Sequence, residues 1–288
     1  MASNPAANEP TEQFIRANGI RIHYLEWGTA RGFPIVCLHG STGSAHHWDD
    51  VAGDLCRDYR VLCPDQRGHG DSDVPAQGYR VQNFVQDLTD LVNALGLPRF
   101  VLVGHSLGSR VATWYGGSQP EKLCAIVLVD PSFDMSETVQ QDFINGVVSQ
   151  PEAFDSAEQV IELLKLRPSH MFRSEESLRR LVQRGMRKRE DGRLRWKYDR
   201  GAVVETLRNS REDIWHHAAR INVPTLILRG SASPVATTSS VDRMLTTIRN
   251  SHLCVIEKAH HGIQQDNPAG FIAAVRPFLQ QVLASSSP

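Results

Sequence analysis

The chain has 288 residues, 41% of them hydrophobic and 22% charged, which suits one elaborated α/β domain or two ordinary ones. A formal net charge of -1 gives no reason to expect nucleic acid or an anionic membrane as partner, so a small-molecule partner is favoured and the oligomeric state stays open. Residues 1–13 contain no apolar run, which predicts a flexible tail rather than a signal peptide or a membrane anchor.

The predicted elements begin with a β-hairpin, because Asn18-Gly19 favours a tight turn between two β-like runs. Short apolar runs follow, each bounded by turn residues: PIVCLHG, RVLCPD, FVLVGHS, AIVLVDP, PTLILRG and LCVIEKA. Amphipathic helical stretches separate them, among them VQNFVQDLTDLVNALGL and PAGFIAAVRPFLQQVL. This alternation predicts an α/β fold with a mostly parallel, doubly wound sheet, whose core comprises residues 14–131 and 222–288.

Residues 132–221 interrupt this alternation, because they contain no strand-like run and are rich in charged, helix-favouring residues. They predict an inserted helical subdomain. Residues 161–200 hold 13 lysines and arginines against six acids, so the insertion is locally basic although the whole chain is not. A solvated helix face is the usual explanation of such a charge run, and selection of an anionic ligand is the alternative.

Five cysteines are scattered along the chain without the spacing of a metal site. Most lie in apolar runs, and their odd number does not suit a disulfide framework. This usage predicts reduced core thiols in a cytoplasmic protein. The five are Cys37, Cys56, Cys63, Cys124 and Cys254.

The stretch VLVGHSLGSR carries the pattern G-x-S-x-G between a predicted strand and a predicted helix. In that context the sharp turn exposes the hydroxyl of Ser106 above the sheet, and Gly104 and Gly108 permit the close backbone approach. Ser106 is therefore the candidate nucleophile, with a helix-capping serine as the structural alternative. A serine hydroxyl needs a base, and His261 in the loop EKAHHGIQQDNP is the candidate, with His260 beside it in the loop wall.

An oxyanion requires two backbone N–H donors, which we assign to Leu107, directly after the nucleophile, and to Ser41 in LHGSTGS. His39 is more consistent with a packing role in that turn than with catalysis. Thr42 and Trp48 are candidates for substrate contact, and packing is the alternative for Trp48. The stretch GSTGS lacks the Gly-Lys-Ser/Thr ending of a phosphate loop, which argues against nucleotide binding.

These motifs together resemble the α/β-hydrolase superfamily: LHGS, PDQRGHGDSD, VGHSLG, PTLILRG and HHGIQQDNP occur in the family's order from Phe14 onward. The resemblance implies that residues 132–221 are the family's helical cap, which covers the pocket and selects substrates. It also implies that Asp65 and Arg67 form a pair that holds the fold. It implies no metal and no organic cofactor.

The triad acid is the one departure from the commonest family pattern. Many members carry it three residues after the glycine of LILRG, where this chain has Ser233. Some members carry it at the end of the preceding strand, where AIVLVDP ends in Asp130; N-formylmaleamate deformylase and (acetamidomethylene)succinate hydrolase are similar in this respect. Asp130 is therefore the predicted acid, in preference to Asp134 in the entrance of the insertion and Asp242 within a predicted helix.

The resulting hypothesis is a serine hydrolase that cleaves an ester or amide bond of a small molecule. Arg167 and Arg173, which flank PSHMF in the basic insertion, are the candidate contacts for a carboxylate-bearing substrate. A C–C bond hydrolase, a cofactor-independent dioxygenase and a slow-turnover ligand receptor of the same fold are the alternatives, because the same residues serve all of them.

Overall fold

The structure is a computed structural model that describes residues 9–118 and 121–284. Within these residues the strands are β1 (Thr11–Ala17), β2 (Ile20–Trp27), β3 (Phe33–Leu38), β4 (Tyr59–Pro64), β5 (Phe100–His105), β6 (Leu123–Val129), β7 (Met186–Lys188), β8 (Leu194–Trp196), β9 (Thr225–Gly230) and β10 (Ser251–Ile256). The helices are α1 (Asp49–Leu55), α2 (Val81–Ala94), α3 (Leu107–Ser118), α4 (Glu137–Val148), α5 (Ala157–Lys165), α6 (Glu175–Gly185), α7 (Arg200–Arg208), α8 (Trp215–Ala218), α9 (Thr238–Thr247), α10 (Ile263–Asp266) and α11 (Pro268–Ala284).

The central sheet has the strand order β1-β2-β4-β3-β5-β6-β9-β10. The pairs β1–β2 and β2–β4 are antiparallel, and every later pair in this order is parallel. All six predicted apolar runs form strands, and the hairpin turn at Asn18 and Gly19 has the positive φ angles of 48° and 75° that its sequence favours. The predicted mostly parallel α/β fold is therefore confirmed.

Two hydrophobic layers bury the faces of this sheet. Helices α2, α3, α8 and α9 cover one face, and α1 and α11 cover the other. Strands β5 and β6 are buried at every position, as strands covered on both faces must be. Because the parallel strands end at one edge of the sheet, the segments after β3, β5, β6, β9 and β10 converge there.

The segment between β6 and β9 is largely helical, as predicted for the insertion, and contains α4 to α8. Helix α4 packs on α7, and α5 packs on α6 around a separate small cluster that includes Val160 and Leu178. The carboxyl-terminal part of the segment belongs to the core. Helix α8 packs on α3, and Ile214, Ala218 and Ile221 lie in the core cluster.

Three details differ from expectation. Strand β1 starts at Thr11, so residues 11–13 belong to the sheet rather than to the tail, and residues 1–8 lie outside the described part of the chain. The insertion contains a two-stranded antiparallel sheet, β7–β8, although no strand was expected there. Asp65 and Arg67 do not pair with each other: Asp65 contacts His23 at 2.7 Å, and Arg67 contacts Asp87 at 2.6 Å.

Arg110 fastens both ends of the insertion to α3. Its side chain is almost fully buried; Nη1 donates to the carbonyl oxygen of Ser132 (2.9 Å), where the chain leaves the core, and Nη2 donates to that of Glu212, where the chain returns. Burial lowers the pKa of Arg110 to about 10, which leaves the guanidinium charged at neutral pH. Both ends of the insertion are thus fixed relative to the helix that follows Ser106.

Candidate active site

Ser106 occupies a sharp turn between β5 and α3. Its φ of 52° lies in the left-handed region, which is uncommon for a residue with a side chain. The turn is tight: a Cβ on Gly104 would lie 2.2 Å from the carbonyl oxygen of Gly108, and a Cβ on Gly108 would lie 2.2 Å from that of Leu38. Only glycine fits at both positions, which explains the G-x-S-x-G pattern and the position of the serine at the carboxyl edge of the sheet.

His261 and Asp130 are in direct contact. Nδ1 of His261 lies 2.6 Å from Oδ2 of Asp130, whose side chain is fully buried, while the imidazole is 12% exposed. The loop that carries His261 is held against the serine turn, because Nε2 of His105 donates to the carbonyl oxygen of His261 (2.8 Å). Since Nδ1 faces a carboxylate, Nε2 is the ring nitrogen left to exchange a proton.

Asp130 accepts three hydrogen bonds at the end of β6. Besides His261, the hydroxyl of Ser233 donates to Oδ2 (2.5 Å) and the backbone N–H of Gly230 donates to Oδ1 (3.0 Å). The Ser233 oxygen in turn accepts from the N–H of Val235 (3.1 Å). Ser233, at the position where many family members carry the acid, therefore binds the carboxylate of Asp130. The sequence did not indicate this contact.

The two other acids considered from the sequence do not contact His261. Oδ1 of Asp134 accepts from Nε1 of Trp215 (2.9 Å) and lies 3.8 Å from the guanidinium of Arg243. Asp242 lies within α9, as its sequence context predicts.

The turn after β3 and the start of α3 each present one unused backbone donor near Ser106. A Cβ on Gly40 would lie 3.1 Å from the Cβ of Ser106, so this turn and the serine approach closely. Within the described residues, the N–H groups of Ser41 and Leu107 donate no hydrogen bond. Two free N–H groups beside a nucleophilic serine are what an oxyanion hole requires.

His39 sets the orientation of the Gly40–Ser41 peptide. Its Nε2 accepts from the N–H of Gln66 (3.0 Å), so Nδ1 carries the proton and donates to the carbonyl oxygen of Gly40 (2.8 Å). Gly43 N–H donates to the same oxygen (2.9 Å). Burial lowers the pKa of His39 to about 3, so it stays neutral. Because carbonyl and N–H point in opposite directions across a trans peptide, this holds the Ser41 N–H away from His39.

Asp266 ties the His261 loop to the insertion, a role that no sequence pattern indicated. Its buried carboxylate accepts from the backbone N–H of His260 (2.8 Å) and from Nε of Arg173 (3.1 Å). Nη2 of Arg173 also donates to Oε1 of Gln265 (2.8 Å). A Cβ on Gly262 would lie 2.6 Å from that nitrogen, so the glycine after His261 makes room for the guanidinium.

The structure thus brings Arg173 to the loop that carries His261, whereas Arg167, half-buried before the turn Pro168–His170, has no recorded contact with that loop within the described residues. Much of the remaining basic charge of the insertion is paired with carboxylates. Arg180 contacts Asp50 at 2.8 Å, and Arg184 contacts Asp49 at 2.6 Å. These ion pairs join α6 to α1. Part of the basic charge of the insertion therefore holds the insertion against the core.

The two candidates for substrate contact on the early loop differ in exposure. Thr42 is exposed, whereas Trp48 is fully buried and packs 6.2 Å from Phe271, between ring centroids, in the core cluster under α1 and α11. A substrate therefore cannot reach Trp48, and the packing alternative is correct for it. Phe143 of α4, which no sequence pattern indicated, lies beside the candidate base: its ring centroid is 5.8 Å from that of His261.

We expect Trp48→Ala to lower the free energy of unfolding by about 3–5 kcal/mol, because it empties a closed core site. Urea or guanidinium titration measures this change. Thr42→Ala is the matched control and should stay within about 0.5 kcal/mol of the parent, as surface substitutions do. A Trp48→Ala protein of parental stability would contradict the core placement.

The chain belongs to the α/β-hydrolase family, because residues 34–268 match the family model for the alpha/beta hydrolase fold. The sequence expectation is thereby confirmed. An esterase of Mycobacterium tuberculosis is 27% identical over 287 residues, which cover 96% of this chain and 93% of the esterase. The 2-(acetamidomethylene)succinate hydrolase of Mesorhizobium japonicum is 24% identical over 280 residues, or 97% and 99% of the two chains.

Solved structures agree with the fold. A crystal structure of E-2-(acetamidomethylene)succinate hydrolase has a TM-score of 0.88 at 22% identity, and the match covers 94% of this chain and all of the other. An α/β hydrolase of Novosphingobium aromaticivorans has a TM-score of 0.83 at 26% identity, with 94% and 98% covered.

Proposed function

We propose that this member of the hydrolase family is a serine hydrolase that cleaves an ester or amide bond of a small molecule. Ser106 is the nucleophile, His261 the general base and acid, and Asp130 the triad acid. The observation that carries the proposal is the 2.6 Å contact between His261 Nδ1 and the buried Asp130 carboxylate, beside a serine in a left-handed turn.

The proposed reaction uses these groups in turn. The Ser106 oxygen attacks the carbonyl carbon while its proton passes to Nε2 of His261, and the N–H groups of Ser41 and Leu107 bind the oxygen that becomes negative. Asp130 stabilises the imidazolium and fixes the tautomer of His261. The proton then passes to the leaving alcohol or amine, and a water hydrolyses the acyl-enzyme by the same steps in reverse.

The identities of the relatives support the bond type. One is an esterase and another hydrolyses an amide-bearing succinate, as its name states. A small substrate with a carboxylate is consistent with the second name and with the location of Arg173. We infer a cytoplasmic location as well, which the absence of any disulfide among the five cysteines supports. Within the described ranges, no helix has both the length and the apolar composition that crossing a bilayer requires.

A fluorophosphonate probe tests the reaction class. We expect one covalent adduct, located on Ser106 by mass spectrometry, and turnover of p-nitrophenyl esters or small anionic amides that continues without oxygen. Turnover that needs oxygen and leaves Ser106 unlabelled would point instead to a dioxygenase. Tight binding with turnover well below about 1 per second on every substrate would point to a receptor.

A further inference from the structure

Several nitrogen atoms around Arg173 have no hydrogen-bond partner. The Arg173 side chain is 6% exposed, and its Nη1 is buried with no partner among the described residues. The same holds for Nδ1 of His105 and Nδ1 of His260. The ring of His47, which is half-buried, also makes no hydrogen bond within residues 9–118 and 121–284. Nδ1 of His105 is an acceptor, because its Nε2 carries the proton. Buried polar groups are normally satisfied, so the free Nη1 donor of Arg173 calls for a ligand or water.

These side chains share one neighbourhood. Burial, followed by the positive charge of Arg173, lowers the pKa of His47 well below its usual value and that of His170 to about 3. The Arg173 charge also contributes to a low pKa at His105, after burial and the neighbouring His261. The guanidinium therefore faces three neutral imidazoles. We call His47, His105, His170, Arg173 and His260 the Arg173 cluster.

The carboxylates near the cluster are already paired, so the cluster can accept a further negative charge. Asp266 is the acid bound to Arg173, and its two oxygens are taken by Nε of Arg173 and by the N–H of His260. The nearby Asp50 is held by Arg180 at 2.8 Å. Arg167 adds a positive charge beside His170, and among the described residues no carboxylate pairs with it. A buried cation that keeps one free donor favours a carboxylate ligand.

The cluster adjoins the proposed reaction centre. His105 precedes Ser106 directly, and His260 precedes His261. The guanidinium of Arg173 reaches the backbone of Gly262, the residue after His261. The cluster therefore shares the serine turn and the His261 loop with the proposed reaction centre.

We propose that the Arg173 cluster is a carboxylate-binding subsite, and that the substrate is a half-ester or half-amide of a short dicarboxylic acid. The free carboxylate accepts from Nη1 of Arg173 and from the ring N–H of His47, while the ester or amide carbonyl lies at Ser106. Because Nη1 is closed to solvent, binding of a carboxylate requires a local displacement of the side chains around it. This inference rests on the proposed hydrolase function.

Calorimetric titration of the full chain with succinate and with its neutral analogue succinamide tests the subsite without any turnover. We expect succinate to bind at least about tenfold more tightly, the effect of one charge-assisted hydrogen bond. Arg173→Lys keeps a positive charge for Asp266 but loses Nη1, and should weaken succinate binding at least about tenfold. His47→Leu should weaken it about threefold or more, and Arg179→Lys, at an exposed site of the same insertion, should leave it unchanged.

Equal binding of succinate and succinamide would overturn the subsite, as would unchanged succinate binding in Arg173→Lys. Thermal unfolding checks that each variant is folded; if Arg173→Lys is not, His47→Leu decides. Labelled Ser106 with no preference for succinate would refute the subsite alone. Succinate binding with no labelling and no turnover would instead refute the hydrolase function and leave only an anion site.

Discussion

Ser106→Ala should abolish labelling by a fluorophosphonate and lower kcat by about four to six orders of magnitude, because it removes the hydroxyl that forms the acyl-enzyme in the proposed reaction. The fold should remain intact, since the turn depends on the backbone and on Gly104 and Gly108 rather than on the hydroxyl. Ser118→Ala, at the exposed end of the same helix, is the matched control and should retain full activity. If Ser106→Ala keeps more than about a tenth of the parental turnover, the nucleophile is misassigned.

Asp130→Asn should preserve the fold and lower kcat by about three to four orders of magnitude. The amide can present an N–H toward Nδ1 of His261, which favours the wrong tautomer, and it cannot stabilise the imidazolium. Steady-state kinetics together with thermal unfolding measure both effects. Asp134→Asn is the control, since its carboxylate faces Trp215 and Arg243 rather than the histidine. Activity near the parental level in Asp130→Asn would show that another group is the acid.

The double variant Asp130→Asn with Ser233→Asp examines the two strand ends directly. The hydroxyl of Ser233 lies 2.5 Å from Oδ2 of Asp130, so a carboxylate at residue 233 comes within reach of His261. We expect a recovery of about tenfold or more over Asp130→Asn alone. Ser233→Asp by itself should lower activity, because two adjacent buried carboxylates repel each other and favour a protonated pair.

The fold was predictable where the signal is local. Each central strand is a short apolar run, and burial on both faces requires that composition at every position. The hairpin β7–β8 was missed because its strands, MRK and LRW, are short and charged and show no apolar pattern. Asp191-Gly192, with a φ of 83° at the glycine, is the one turn signal that could have indicated it.

The site was predictable only to the level of the elements that carry it. The position of Asp130 at the end of a predicted strand indicated that it lies near the loop of His261, and the structure brings the two side chains into contact. The support from Ser233 and the bond between Asp266 and Arg173 involve residues about 100 positions apart, and no sequence period reports such contacts. Trp48 illustrates the converse case, since its direction into the core depends on a 3-10 turn that its neighbours do not specify.

Arg110 has a consequence for how this fold can diversify. One guanidinium holds the outgoing chain at Ser132 and the returning chain at Glu212, so the two splice points are held to α3 by bonds to their backbone, which do not depend on the side chains between them. A foreign segment grafted between these points, from a hydrolase with other preferences, should inherit the same placement over the serine. Arg110→Met would remove both hydrogen bonds. Chimaeras that carry different grafted segments would then differ in the position of the segment relative to α3.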